Sequence, residues 1–138
     1  MMKREAPIQK AIVEWLQTQH PSWIVHHSRN EINKRGAAIR NELADAKRLG
    51  AMTGWPDLIV LPPSHLGPIF FEVKAEGEYP RKSQREAHDR LRALGYRVGI
   101  VRSIDDVKEH LAAWAIWFER DRGWQSVGSV ARRVVDGK

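Results

Sequence analysis

Asp57, Glu72 and Lys74 are the residues in this chain whose types and spacing carry chemistry. Glu72 and Lys74 flank one apolar residue inside the run Ile69-Phe70-Phe71-Glu72-Val73-Lys74. Alternate side chains of a strand share a face, so this run sets a carboxylate beside an ammonium while Phe71 and Val73 face an apolar layer. Asp57 opens a second β-rich run, Leu58-Ile59-Val60-Leu61, directly after Gly54-Trp55-Pro56, where a proline at the strand start is tolerated. Two carboxylates and a lysine at neighbouring strand ends suit a hard divalent ion, Mg²⁺ or Mn²⁺, which takes carboxylate oxygens, keeps several waters and binds phosphate oxygen. Such an ion polarises a phosphodiester and acidifies a water, and Lys74 offsets charge that builds on the phosphorus.

The two runs are separated by Pro62-Pro63-Ser64-His65-Leu66-Gly67-Pro68 and predict an antiparallel hairpin with a proline-stiffened loop. Its register decides whether the site exists. Leu61 opposite Ile69 would set Asp57 opposite Val73, on the wrong face; a one-residue shift sets it on the face of Glu72. A seven-residue loop permits both.

Around the hairpin, Ile8, Ala11, Ile12, Trp15 and Leu16 form a helical stripe that Pro7 can open from the first turn. Residues 23–27 read as a short strand. Residues 30–54 are polar and basic, with weaker helical character over 41–49. Gln84, Ala87, His88, Leu91 and Leu94 give a second stripe, ended by Gly95; residues 97–101 give another strand. Ser103 and Asp106 then stand at capping-box spacing before Ile104, Val107, Leu111, Trp114 and Phe118. The predicted order is α, β, β, β, α, β, α, an α/β sheet flanked by helices in one domain over residues 1–118. Residues 119–138, with Trp124 and Arg132-Arg133, read as a tail or small appendage.

At 138 residues the chain is sized for one domain, and its net charge of +6 with a pI near 10.0 favours a polyanionic partner. The absence of cysteine excludes disulfides, thiolate zinc sites and cysteine nucleophiles, which fits a reducing compartment. No apolar run reaches membrane-spanning length, so a soluble cytoplasmic protein is expected. His26 and His27 are adjacent and would face opposite sides of a strand, so with His20 they read as structural or surface residues rather than as a metal cluster. Arg29, Asn30, Lys34, Arg35, Arg40, Lys47 and Arg48 before the hairpin, and Arg81, Lys82 and Arg85 after it, are candidates for holding a nucleic-acid backbone; a solvated surface is the alternative for both groups. Trp114 reads as core, and Trp117 and Trp124 as candidates for a dimer contact.

Gly54-Trp55-Pro56-Asp57-Leu58, Phe71-Glu72-Val73-Lys74, Gln84 in the next helix, and Leu94-Gly95-Tyr96-Arg97-Val98 leading to Val101 together resemble the VRR-Nuc branch of the PD-(D/E)xK nucleases over residues 5–112. That resemblance implies a restriction-endonuclease-like mixed β-sheet flanked by helices, and a metal-dependent DNA endonuclease. It implies that Glu5, Asp57, Glu72 and the Val73 carbonyl hold Mg²⁺ or Mn²⁺, with Lys74 catalytic and Gln84 bonding near the metal water or the phosphate. Stand-alone short members occur in phages and resemble Holliday-junction resolvases. That implies DNA as partner, a homodimer, a branched substrate in replication, recombination or repair, and action in the bacterial host cytoplasm. The rival expectation is a non-catalytic nucleic-acid-binding module on the same fold.

Overall fold

The structure, a computed structural model, describes residues 4–28 and 37–114. Helix α1 (Ala6–Gln19) leads into strand β1 (Ile24–His27), helix α2 (Ala37–Arg48), strand β2 (Leu58–Leu61), a 3-10 turn (Ser64–Leu66) and strand β3 (Ile69–Val73). Helix α3 (Lys82–Ala93), strand β4 (Arg97–Val101) and helix α4 (Ile104–Ala113) complete the described chain. The sheet order is β1-β2-β3-β4, antiparallel at the first two junctions and parallel between β3 and β4. This is the expected mixed α/β sheet.

One element corrects the predicted order. The expected sequence had no helix between β1 and β2, where α2 spans twelve residues. The reason lies in Ala-Ala-Ile-Arg-Asn-Glu-Leu-Ala-Asp-Ala-Lys-Arg, which is rich in good helix formers yet has too few large apolar residues to mark a continuous stripe.

The sheet is covered on both faces. Leu58, Val60, Ile69, Phe71, Val73 and Val101 pack on one side against Ile12 and Leu16 of α1 and Val107 and Leu111 of α4, all buried. Trp114, at the end of α4, packs its ring on Phe71 and His110. On the other side Phe70 and Val98, with Ile59 and Trp55, meet Leu91 of α3. Leu94, expected on that stripe, is exposed at the helix C-cap. The Ser103 cap forms as the spacing implies: its hydroxyl accepts from the Asp106 amide at 3.1 Å, and the Asp106 carboxylate accepts from the Arg102 amide at 2.8 Å. No helix among the described residues is long and apolar enough to cross a membrane.

The β2–β3 register is the shifted one. Leu58 pairs with Phe71, Ile59 with Phe70 and Val60 with Ile69, so the next position outward sets Asp57 opposite Glu72. Burial selects it: this pairing aligns Leu58 and Val60 with Phe71 and Ile69 in one apolar layer.

Candidate active site

Glu72 and Lys74 share the sheet face covered by α3, and Asp57 joins them at the open end of the β2–β3 pair. The loop before Asp57 is held against α3 by Gly54, whose φ is +81° and whose hypothetical Cβ would lie 2.3 Å from the Ser83 carbonyl oxygen. Asp57 is then pinned to the central strand: the Val73 amide donates to its Oδ2 at 2.9 Å. Lys74, just past β3, is held by β4 through its own amide, which donates to the Val101 carbonyl at 3.0 Å.

Glu72, 1% exposed, is bonded on both oxygens from α3. Gln84 Nε2 donates to Oε2 at 3.0 Å, and His88 Nε2 lies 3.3 Å from Oε1. Gln84 also accepts through its side-chain oxygen from the Arg81 amide at 2.8 Å, which ties the helix N-terminus to the carboxylate it supports. Lys74 Nζ stands 3.8 Å from Glu72 Oε2 and 3.9 Å from Glu5 Oε2. Glu5 is the N-cap of α1, directly before the helix that Pro7 opens, and it is buried.

Burial, reinforced by the neighbouring Glu72, pushes the Asp57 carboxyl up to about 7; burial likewise pushes Glu72 up to about 7, against the pull of Asp57's hydrogen bond and of Lys74. The two acids therefore share protons near neutrality instead of carrying two full charges. Glu5 is raised, again mainly by burial. Burial lowers the neighbouring His88, which favours a neutral ring beside Glu72.

The donors fit a hard divalent ion. They are carboxylate and carbonyl oxygens with no soft ligand, and one buried carboxylate oxygen, Glu5 Oε2, has no hydrogen-bond partner. Among the described residues no three His, Cys, Asp or Glu side chains converge as a ready-made chelate.

The structure brings Glu5, Asp57, Glu72, Lys74 and Gln84 together, with the Val73 backbone between the last strand positions. Arg81, at the N-terminus of α3, is near enough to Glu72 to bear on its charge, whereas Lys82 pairs with Glu86 at 3.8 Å on the solvent side. Arg40 is exposed on α2, and nothing described ties it to the site. Arg29, Asn30, Lys34 and Arg35 lie outside the described residues, as do Trp117, Phe118, Trp124 and residues 119–138. His20 is buried and stacks on Trp23 with ring centroids 3.7 Å apart, while His26 and His27 lie on the edge strand β1. His88 is the site residue that sequence reasoning passed over. Its signal was a histidine in a helical stripe four residues after Gln84, a spacing that puts both over one strand position.

A pH dependence follows. Asp57 and Glu72 hold protons in the folded chain up to about pH 7, whereas the unfolded chain releases them near 3.8 and 4.5, so they destabilise the metal-free fold increasingly as pH rises through that window. Buried His20, lowered to about 4, acts oppositely up to about 6.5. The carboxyl contribution is isolated by metal: stabilisation by millimolar Mg²⁺ in thermal unfolding is expected to be near zero at about pH 5.5 and several degrees at about pH 8. An equal shift at both pH values would contradict the assignment.

The profile of the VRR-NUC domain family matches residues 3–105. Among solved structures, one titled "VRR_NUC domain protein" superposes with a TM-score of 0.59 at 23% identity, over 82% of this chain and 88% of its own. A second, titled "VRR_NUC domain", superposes with a TM-score of 0.54 at 25% identity, over 81% of this chain and 97% of its own. No curated protein matches.

Proposed function

Since the chain belongs to the VRR-NUC domain family, a nuclease-type domain, we propose that it hydrolyses DNA phosphodiester bonds with Mg²⁺ or Mn²⁺. The observation that carries the reading is the register that sets Asp57 opposite Glu72 with Lys74 Nζ 3.8 Å away. Asp57, Glu72 and the Val73 carbonyl would hold the ion, and Glu5 would reach it through water. When bound, the ion supplies charge neutralisation at the phosphate and a more acidic water.

The chain's own groups do the positioning. Gln84 and His88 fix both oxygens of Glu72, so the carboxylate meets the substrate in one orientation. Lys74 presents its ammonium to the phosphoryl oxygens as a water oxygen bonds to phosphorus and the bond to the leaving sugar oxygen breaks; Arg81 adds positive charge at the mouth. Arg81, Lys82, Arg40 and the basic segment Arg29, Asn30, Lys34 and Arg35 serve the DNA backbone in this reading. The finer proposal is a homodimer cutting branched DNA, in which two copies address two strands.

Labelled duplex, flap, four-way-junction and single-stranded DNA, with matching RNA, incubated with Mg²⁺, Mn²⁺ or EDTA, tests all of this. Cutting in either metal and none in EDTA is expected. No metal-dependent cutting of any substrate would end the proposal in favour of a binding module.

A further inference from the structure

The buried stripe of α1 changes character along its length. Ile12 and Leu16 are apolar and meet the core, but Gln9, on the same face one turn from the N-cap Glu5, is 8% exposed. Its side-chain oxygen is buried and has no hydrogen-bond partner, and the same holds for Glu5 Oε2. A buried amide oxygen left unpaired costs more than a leucine would at that position, and native chains leave few such atoms without a reason.

The spacing lets one partner serve both oxygens. Side chains four apart on a helix have Cβ atoms roughly 5–6 Å apart. One water donating two hydrogen bonds of roughly 2.7–2.9 Å spans such a pair. Both acceptors lie at the end of α1 that meets the site, where Lys74 Nζ is 3.9 Å from Glu5 Oε2 and offers a third contact. Gln9 also lines a groove of about 540 Å³ with Lys10, Val13, Gln17 and His27. His27, on its far wall, pairs with Leu58, the strand position next to Asp57.

Resting on the hydrolytic reading of that site, we propose that Gln9 is a positioning residue: its carboxamide oxygen and Glu5 Oε2 together hold a water beside the Lys74 ammonium. Both hydrogens of that water are then committed to acceptors and its lone pairs are left toward Lys74 and the phosphate. Glu78 bounds the arrangement on the other side. Its side chain meets the Glu5 carboxyl directly and helps to raise it, while Arg4 holds its Oε2 at 2.9 Å.

Two measurements test this on the whole chain. A metal-free crystal structure is expected to show water density within roughly 2.7–3.2 Å of both Gln9 Oε1 and Glu5 Oε2. Gln9→Met keeps a flexible side chain of similar length without the oxygen. It is expected to lose that density, to lower kcat about ten- to a hundredfold with KM for DNA nearly unchanged, and to unfold at the wild-type temperature or above. A Gln9 oxygen bonded to a protein donor, no water shared by Gln9 and Glu5, or an unchanged kcat would overturn the proposal. If the wild type cuts no nucleic acid, the nuclease reading falls by itself and the density alone decides the water site.

Discussion

Asp57→Asn will lose about a thousandfold or more in cleavage rate while raising the thermal stability of the metal-free protein at about pH 8. The two effects have one cause. Asn fills the same space, and its side-chain oxygen still accepts from the Val73 amide, so the strand end keeps its shape. What disappears is a carboxyl pushed up to about 7 by burial and by Glu72, a group whose ionisation the fold resists at alkaline pH. Relief of that charge is expected to raise the unfolding temperature by a few degrees. In the proposed reading a divalent ion would balance the same charge, so activity and Mg²⁺-induced stabilisation are expected to go together. Rate measurements and thermal unfolding with and without Mg²⁺ check it: an inactive but destabilised variant would mean that Asp57 is structural, and an active one that it is not a site residue.

Much of this arrangement was legible in the sequence. Period-two alternation placed Glu72 and Lys74 on one face, and the two apolar runs around a proline-rich loop announced the hairpin. The register was not legible, because a seven-residue loop fits either pairing and only burial of Leu58 and Val60 with Phe71 and Ile69 separates them. Gln84 was found by motif, but its bond to Glu72 bridges elements twelve residues apart, and local pattern is blind to that. His88 was hidden for the same reason: within α3 it reads as one more buried stripe position. Gln9 escaped notice because a glutamine in a helix is ordinarily a solvated residue, and its burial comes from contacts no local window contains. α2 went uncounted for want of apolar residues.

Gly54→Ala carries the second large effect, and it acts on folding first. The added methyl would sit 2.3 Å from the Ser83 carbonyl oxygen and 2.7 Å from the Gln84 backbone nitrogen, at a φ of +81° that alanine rarely adopts. Backbone cannot swing aside as a flexible side chain does. The loop before Asp57 and the first turn of α3 must separate, at a cost on the order of 3 kcal/mol and a fall of about 10 °C in unfolding temperature. The variant will also lose Mg²⁺-dependent stabilisation, because moving α3 draws Gln84 away from Glu72 and moving the loop draws Asp57 from Val73. Gly67→Ala is the matched control: its φ is +75°, but its Cβ meets nothing within 4 Å. If the two lower stability equally, backbone strain alone accounts for Gly54 and the close approach to Ser83 does not matter.

The bond from the Val73 amide to Asp57 Oδ2 makes a backbone proton of the central strand part of the site's electrostatics. An amide proton donated to a charged carboxylate is deshielded more than one donated to a neutral acid, since the charged acceptor draws it closer. The Val73 resonance therefore carries the ionisation state of Asp57 in its chemical shift, whereas the neighbouring Lys74 amide is committed to Val101 and stays indifferent to it. Two adjacent residues thus form a probe and its internal reference, written into the strand and readable without substrate, label or turnover.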